Sequence, residues 1–205
     1  LILVVVFWAA TSLASASSAW AQHPLGPASL RSGTLSFDGK ATLGDFTGVT
    51  TTVSGEMVGG PGLADVRGWV EAPVTTLKTG NGRRDKDLNK SMESEQFPTI
   101  RFDLDSVRPQ WERGDSAAVE LVGRFTIHGV TQERTFRAAV LFEGDGVRVK
   151  ASLPLNLKDY RIGGLSKFLG TIKMHPDILV HIDVLFGGPE TPAGAPSQPA
   201  RDSAR

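Results

Sequence analysis

Val147-Arg148-Val149-Lys150-Ala151-Ser152-Leu153-Pro154-Leu155-Asn156-Leu157-Lys158 decides the fold, because every odd position is apolar or small and every even position is polar or Pro. Successive side chains of a strand point to opposite faces, so this run reads as a strand with one dry side and one wet side. A helix of that composition would smear its apolar residues around its whole circumference.

The rhythm recurs outward from that stretch. Ile100, Phe102 and Leu104 alternate with Thr99, Arg101, Asp103 and Asp105, and Leu121, Phe125 and Ile127 alternate with Glu120, Arg124 and Thr126. Phe136, Ala138, Val140 and Phe142 form another such series, as do Ile178, Val180, Ile182, Val184 and Phe186. Earlier strands are shorter: Leu35 and Phe37, then Val49, Val53 and Met57, then Val66, Val70 and Val74. Turn chemistry separates them at Gly59-Gly60-Pro61-Gly62, Arg113-Gly114-Asp115 and Gly144-Asp145-Gly146. Two-faced strands joined by short turns make an antiparallel meander. About eight of them must close on themselves or stack, and closure leaves no open edge. The predicted fold class is all-β, an eight-stranded antiparallel barrel with a short helix in one connection. The one stretch that departs from the alternation is Asn81 to Glu93, polar and charged, where Asn81 can cap a short helix that runs through Leu88 and ends before Phe97-Pro98.

Composition narrows the function classes. The 205 residues carry 22 Lys plus Arg against 22 Asp plus Glu, so no net field draws the protein to nucleic acid. Zero Cys excludes disulfides, thiolate metal sites and Cys nucleophiles. The four His, His23, His128, His175 and His181, lack the spacing of a zinc helix or short metal loop. No GxSxG elbow, P-loop or dinucleotide fingerprint occurs. Catalytic residues, cofactors and metals are therefore expected to be absent. Asp103 and Asp105 fall on the outward parity beside Arg101 and read as a solvated face, Trp69 lies on the outward side, and Trp111 reads as a turn residue.

The ends differ from the middle. Residues 1–21 open with Leu-Ile-Leu-Val-Val-Val-Phe-Trp and run out to Ala19-Trp20-Ala21, the pattern of a secretory signal cleaved near Ala21. Residues 22–29 read as a mobile lead-in, 30–186 as the barrel domain, and 187–205, rich in Pro, Gly and Ala, as a disordered tail. The expected setting is periplasmic or secreted, without a transmembrane span in the mature chain.

Three segments resemble the YceI-like family of bacterial, commonly periplasmic, lipid-binding proteins: Thr79-Gly80-Asn81-Gly82-Arg83-Arg84-Asp85-Lys86-Asp87-Leu88, then Gln96-Phe97-Pro98-Thr99-Ile100-Arg101-Phe102, then Gly123-Arg124-Phe125-Thr126-Ile127-His128-Gly129-Val130-Thr131. The resemblance implies a lipocalin-like barrel whose apolar interior holds a polyisoprenoid or similar amphiphile without catalysis, and pairing of barrels through a sheet surface in several members, so a homodimer is an expectation here. It implies that Arg84 and Asp85 hold the helix-bearing loop, with Asn81, against the barrel mouth. Asp87 stands where the family frequently has His, and Gly39 to Gly48 lacks the His often found before the family's Gly-x-Phe-x-Gly; these departures bear on the head-group contact.

On that reading the inward parity, Phe37, Val53, Met57, Val70, Phe102, Phe125, Phe136, Phe142, Leu153 and Ile182, lines a tunnel, and Arg84 or Lys86 meets the polar head. Gly55, Gly68, Gly123, Ala72, Ala138 and Ala151 share that parity; they leave room for a ligand or relieve crowding where strands coil tightly. A rival reading is a stress-protective or interaction module whose barrel is filled by its own side chains. A hydrolase or isomerase acting on a lipid would need a titratable group on the inward parity, and none stands out.

Overall fold

A computed structural model of the protein describes residues 26–42, 44–163, 166–167 and 172–187. Residues 1–21, expected from the sequence to be a secretory signal, and nearly all of residues 187–205 fall outside the described residues. The long strands are β1 (Ala28–Gly39), β2 (Phe46–Thr50), β3 (Ser54–Val58), β4 (Arg67–Pro73), β5 (Thr99–Arg113), β6 (Ser116–Ile127), β7 (Val130–Glu143) and β8 (Gly146–Asn156). A two-residue ladder, β9 (Ser166–Lys167) with β10 (Ile172–Lys173), precedes the last strand, β11 (Asp177–Gly187). Strand β1 thus opens two residues ahead of the Leu30 boundary read from the sequence.

Neighbours in sequence are neighbours in space from β3 through β8, all antiparallel. Strand β11 returns to pair with β8 on one side and with β1 on the other, where Phe37 faces Val180 and Gly33 faces Val184. On its other edge β1 pairs with β2 and β3, which share one position in the ring. The sheet therefore closes as an eight-stranded antiparallel barrel and leaves its apolar face no direction but inward.

Strands β2 and β3 correct the reading of Val49, Val53 and Met57 as one face. Gly48 and Thr50 are buried in β2, whereas Gly55 and Met57 are buried in β3, so the inward parity changes from even to odd across Thr51-Thr52-Val53. Val49 is consequently exposed, and its backbone pairs with Lys78. Thr50 holds the slip in place: its hydroxyl lies 2.7 Å from that of Thr76 and accepts from the Thr52 N–H at 3.0 Å.

The outer wall carries the polar half of the alternation as ion pairs within and between strands. Arg101 bridges Glu71 at 3.0 Å and Asp103 at 2.9 Å while its guanidinium lies 4.4 Å from the Trp69 ring centre, and Arg124 meets Asp105 at 3.2 Å. Trp111 is exposed but sits within β5 next to a register shift, not in a turn.

Glycines on the inward parity have a definite cause. A Cβ on Gly123 would strike the Asp103 carbonyl and come within 2.6 Å of the Phe102 ring, and one on Gly55 would lie 2.6 Å from the Trp69 carbonyl. Neighbouring strands and the barrel's own rings use this space, so these positions serve tight coiling and not ligand room.

Candidate functional site

Asn81 starts helix α1 (Gly82–Ser91) as the sequence indicates, its side-chain oxygen accepting from the N–H groups of Arg83 at 3.0 Å and Arg84 at 3.1 Å. Asp85 in the first turn reaches back to Thr79, accepting from its hydroxyl at 2.6 Å and its N–H at 2.9 Å. Those bonds, the hydroxyl's first, hold the Asp85 carboxyl below the usual carboxylate range. Arg84 donates to the Thr79 hydroxyl at 3.2 Å and lays its guanidinium 4.3 Å from the centre of the Phe46 ring on β2. Next to Thr79, Lys78 and Val49 exchange backbone bonds of 2.8 and 2.9 Å. The helix is thereby tied to β2 at one end of the barrel.

Beneath α1 the barrel is hollow. A chamber of about 540 Å³ is bounded by inward residues from β1, β2, β5, β6, β8 and β11 and by one face of the helix. This volume falls in the roughly 300–1,000 Å³ range of small-molecule sites. Its walls are Leu35, Phe37, Phe46, Leu77, Ile100, Phe125, Ile127, Leu155, Leu157, Ile162, Met174, Ile178 and Val180, and its polar lining comes from Ser36, Asn81 and the helix residues Arg83, Arg84, Asp87 and Ser91. A second, smaller cavity of about 100 Å³ lies deeper, bordered by Val53, Met57, Val70, Phe102, Phe136 and Ile182 among others. Leu35, Ile100 and Phe125 line both. Phe125, which borders both spaces, sits in an aromatic cluster, 4.6 Å from Phe102 and 6.0 Å from Phe136 between ring centres.

The ten tunnel residues named from the sequence divide accordingly. Phe37 borders the large chamber, Phe125 both, and Val53, Met57, Val70, Phe102, Phe136 and Ile182 the deep one. Leu153, 2% exposed, and Phe142 border neither and belong to the packed wall. Of the two head-group candidates, Arg84 lines the chamber, but Lys86 is exposed on the helix's other side. Arg83 and Asp87 line it instead. Helical phase carries that signal in the sequence: Arg83, Arg84, Asp87, Leu88, Ser91 and Met92 fall one turn apart on one stripe, and Lys86 falls off it.

One further constellation resembles a nucleophilic triad. Ser152 Oγ lies 2.8 Å from His181 Nδ1, and His181 Nε2 lies 2.9 Å from Asp38. A working triad also needs oxyanion donors in a concave site. These three residues lie on the outer wall and border neither cavity, and Asp38 accepts a second bond, from the Thr47 hydroxyl, at 2.8 Å. The arrangement clasps β8, β11, β1 and β2 together. The side chain of His128 is 8% exposed, with Nδ1 3.1 Å from the Tyr160 carbonyl oxygen.

A closed antiparallel barrel around an apolar chamber, with its polar lining gathered on one covering helix, defines a lipocalin-like architecture. The chain belongs to the YceI-like family, whose domain model matches residues 29–186. Among solved structures it is similar to a polyisoprenoid-binding domain from Saccharophagus degradans implicated in plant cell wall breakdown, at TM-score 0.67 and 14% identity over 80% of this chain and 99% of that one. It is also similar to BcnA of Burkholderia cenocepacia, at TM-score 0.64 and 15% identity over 75% of this chain and 95% of that one. A variant of the Campylobacter jejuni YceI protein aligns at TM-score 0.56 and 16% identity, over 70% of this chain and 85% of that one. None of the curated proteins matches significantly. No helix among the described residues is long and apolar enough to cross a membrane.

Proposed function

We propose that this protein is a non-catalytic carrier that encloses the tail of a polyisoprenoid or similar long-chain amphiphile in the chamber beneath α1, with the polar head at the helix. The chamber of about 540 Å³ carries the reading, because its barrel walls are apolar apart from Ser36 while its other polar lining belongs to α1 and its cap. Each CH₂ taken out of water is worth roughly 0.8 kcal/mol, so a long tail stays in a membrane unless a dry enclosure competes for it. The family membership and the fold shared with a polyisoprenoid-binding domain support the same reading. The expected setting is the periplasm or the exterior, after removal of residues 1–21.

Gentle purification followed by native mass spectrometry and solvent extraction tests the proposal. A single long-chain amphiphile at about one per barrel is expected. A protein that carries nothing after purification, and takes up no prenyl or acyl chain when offered one in vesicles, is a stress-protective or interaction module instead.

A further inference from the structure

We infer that a proton on His128 latches the C-terminal end of α1 through the Glu93 carboxylate, fastening the helix over the chamber in acid and loosening it toward neutral pH. The latch belongs to the fold and does not depend on what the chamber encloses. His128 and Gly129 make the two-residue turn between β6 and β7, where Ile127 faces Val130 and both turn residues have positive φ, 52° and 70°. Glu93, next after the helix cap Met92, is left-handed as well, with φ 46°, at a position that Gly most often fills. Its carbonyl accepts from the N–H groups of Gln96 at 2.9 Å and Phe97 at 2.8 Å, and the Phe97 ring packs 4.7 Å from the imidazole between centres. Two residues with long side chains thus stand where Gly or Asn is the easier choice, and those side chains meet: Glu93 Oε1 lies 3.6 Å from His128 Nε2.

Hydrogen-bond chemistry gives that gap its meaning. The Tyr160 carbonyl, 3.1 Å from Nδ1, only accepts, so the neutral ring carries its proton on Nδ1. Nε2 is then a bare acceptor, buried without a hydrogen bond and facing a carboxylate that also only accepts. One proton on Nε2 turns this opposed pair into a charge-assisted bond, which shortens to about 2.7–2.9 Å. Histidine changes charge between about pH 5 and 8. The other polar groups around the ring do not compete for that role. Asp159 is paired with Arg134 of β7 at 2.9 Å, burial pushes the Tyr160 phenol above its ordinary value, and Lys90, Glu95, Lys158 and Arg161 on the flanking turns are exposed. Arg84, Thr79 and Phe46 already tie the first turn of α1 to β2. The latch adds a tie at the opposite end, beside Ser91 and Met92 of the chamber lining.

The test uses the full chain, with long-range proton–nitrogen NMR to read the tautomer and charge of the ring and amide exchange to read α1. An Nδ1–H ring is expected at about pH 8 and an imidazolium at about pH 5. The Met92 amide, bonded to the Leu88 carbonyl at 2.9 Å, should be about fivefold better protected in acid once intrinsic exchange rates are divided out. Release of N-phenyl-1-naphthylamine, a neutral apolar fluorophore, from the chamber should slow by a similar factor. Glu93→Ala should leave α1 loose at both pH values. Glu93→Gln should fasten it at both, because a carboxamide donates to the neutral Nε2 and accepts from the charged one. His181→Gln, which removes the outer-wall imidazole bonded to Asp38, should leave the change intact. An Nε2–H ring at the higher pH, a ring still neutral at the lower, or a protection change that survives Glu93→Ala overturns the inference, as does fluorophore release that ignores pH. If the fluorophore does not bind, the carrier reading loses support and the NMR and exchange data still decide the latch.

Discussion

Val180→Phe separates a hollow barrel from a packed one. Val180 lies in β11 opposite Phe37 and Leu153, is 7% exposed, and points into the chamber of about 540 Å³. In a filled core the added ring would force its neighbours apart at a cost of about 1–3 kcal/mol. Over the chamber it enters space that no side chain occupies, and full burial of Val or Phe is worth about 1.5–3 kcal/mol in either case. Unfolding free energy in urea should therefore stay within about 1 kcal/mol of wild type, with an unchanged slope. Ligand binding should respond differently. A ring that takes the place of three or four CH₂ groups of a tail removes about 2.4–3.2 kcal/mol at 0.8 per group, a loss of roughly 50- to 200-fold in affinity. Displacement of a bound acyl chain reads the second quantity on the same preparation. A variant destabilised by more than about 2 kcal/mol whose ligand affinity is untouched would refute the reasoning, because the chamber would then be neither empty nor used.

Phe125→Ala removes a 3% exposed ring from the aromatic cluster between the two cavities and should cost about 3–5 kcal/mol of stability, while native mass spectrometry should show the longest bound chain increasing as the spaces merge. Gly123→Ala should cost about 3 kcal/mol in denaturant titration, the upper end for overpacking, because one obstacle to the new methyl group is the Asp103 carbonyl, which cannot rotate away. The depressed Asp85 carboxyl contributes stability that is present above the unfolded-state value near 3.9 and is lost as pH falls through the lower folded value. Asp85→Asn should lower the urea midpoint at neutral pH and flatten its decline below about pH 4; an unchanged acid limb would show that Thr79 does not hold the carboxylate. Part of that decline should persist in the variant, since Asp38 and Asp145 are shifted the same way by His181 and Arg31.

Much of this architecture was legible because period two is a strong signal where one face is dry and the other is charged. In β8 and β11 each apolar residue of the sequence pattern has a cross-strand partner of its own kind, as with Val149 and Val184 or Leu153 and Val180. The signal failed where the backbone lost count. Val49, Val53 and Met57 keep their parity in the sequence, but the inward parity changes across Thr51-Thr52-Val53, beside the Thr50–Thr76 hydroxyl contact, and Val49 turns out to solvent. Hydroxyl bonds between segments 26 residues apart have no local signature, so no reading of that strand by itself could place the slip.

The site was partly legible for a related reason. Parity separates inside from outside, and it selected residues that border one cavity or the other, but it cannot say how far along the barrel the space extends. Leu153 and Phe142 share the right parity and still belong to the wall, because the hollow is a property of the ring of strands at one height and not of any one strand. The face of α1 that borders the chamber follows a different period. Read at 3.6 residues per turn, the basic cluster after Asn81 places Arg83 with Asp87 and Ser91 and leaves Lys86 outside. One helix thus divides its cations by role. Arg84 holds α1 against β2 through Thr79 and Phe46, whereas Arg83, one residue earlier, borders the chamber while staying exposed to solvent.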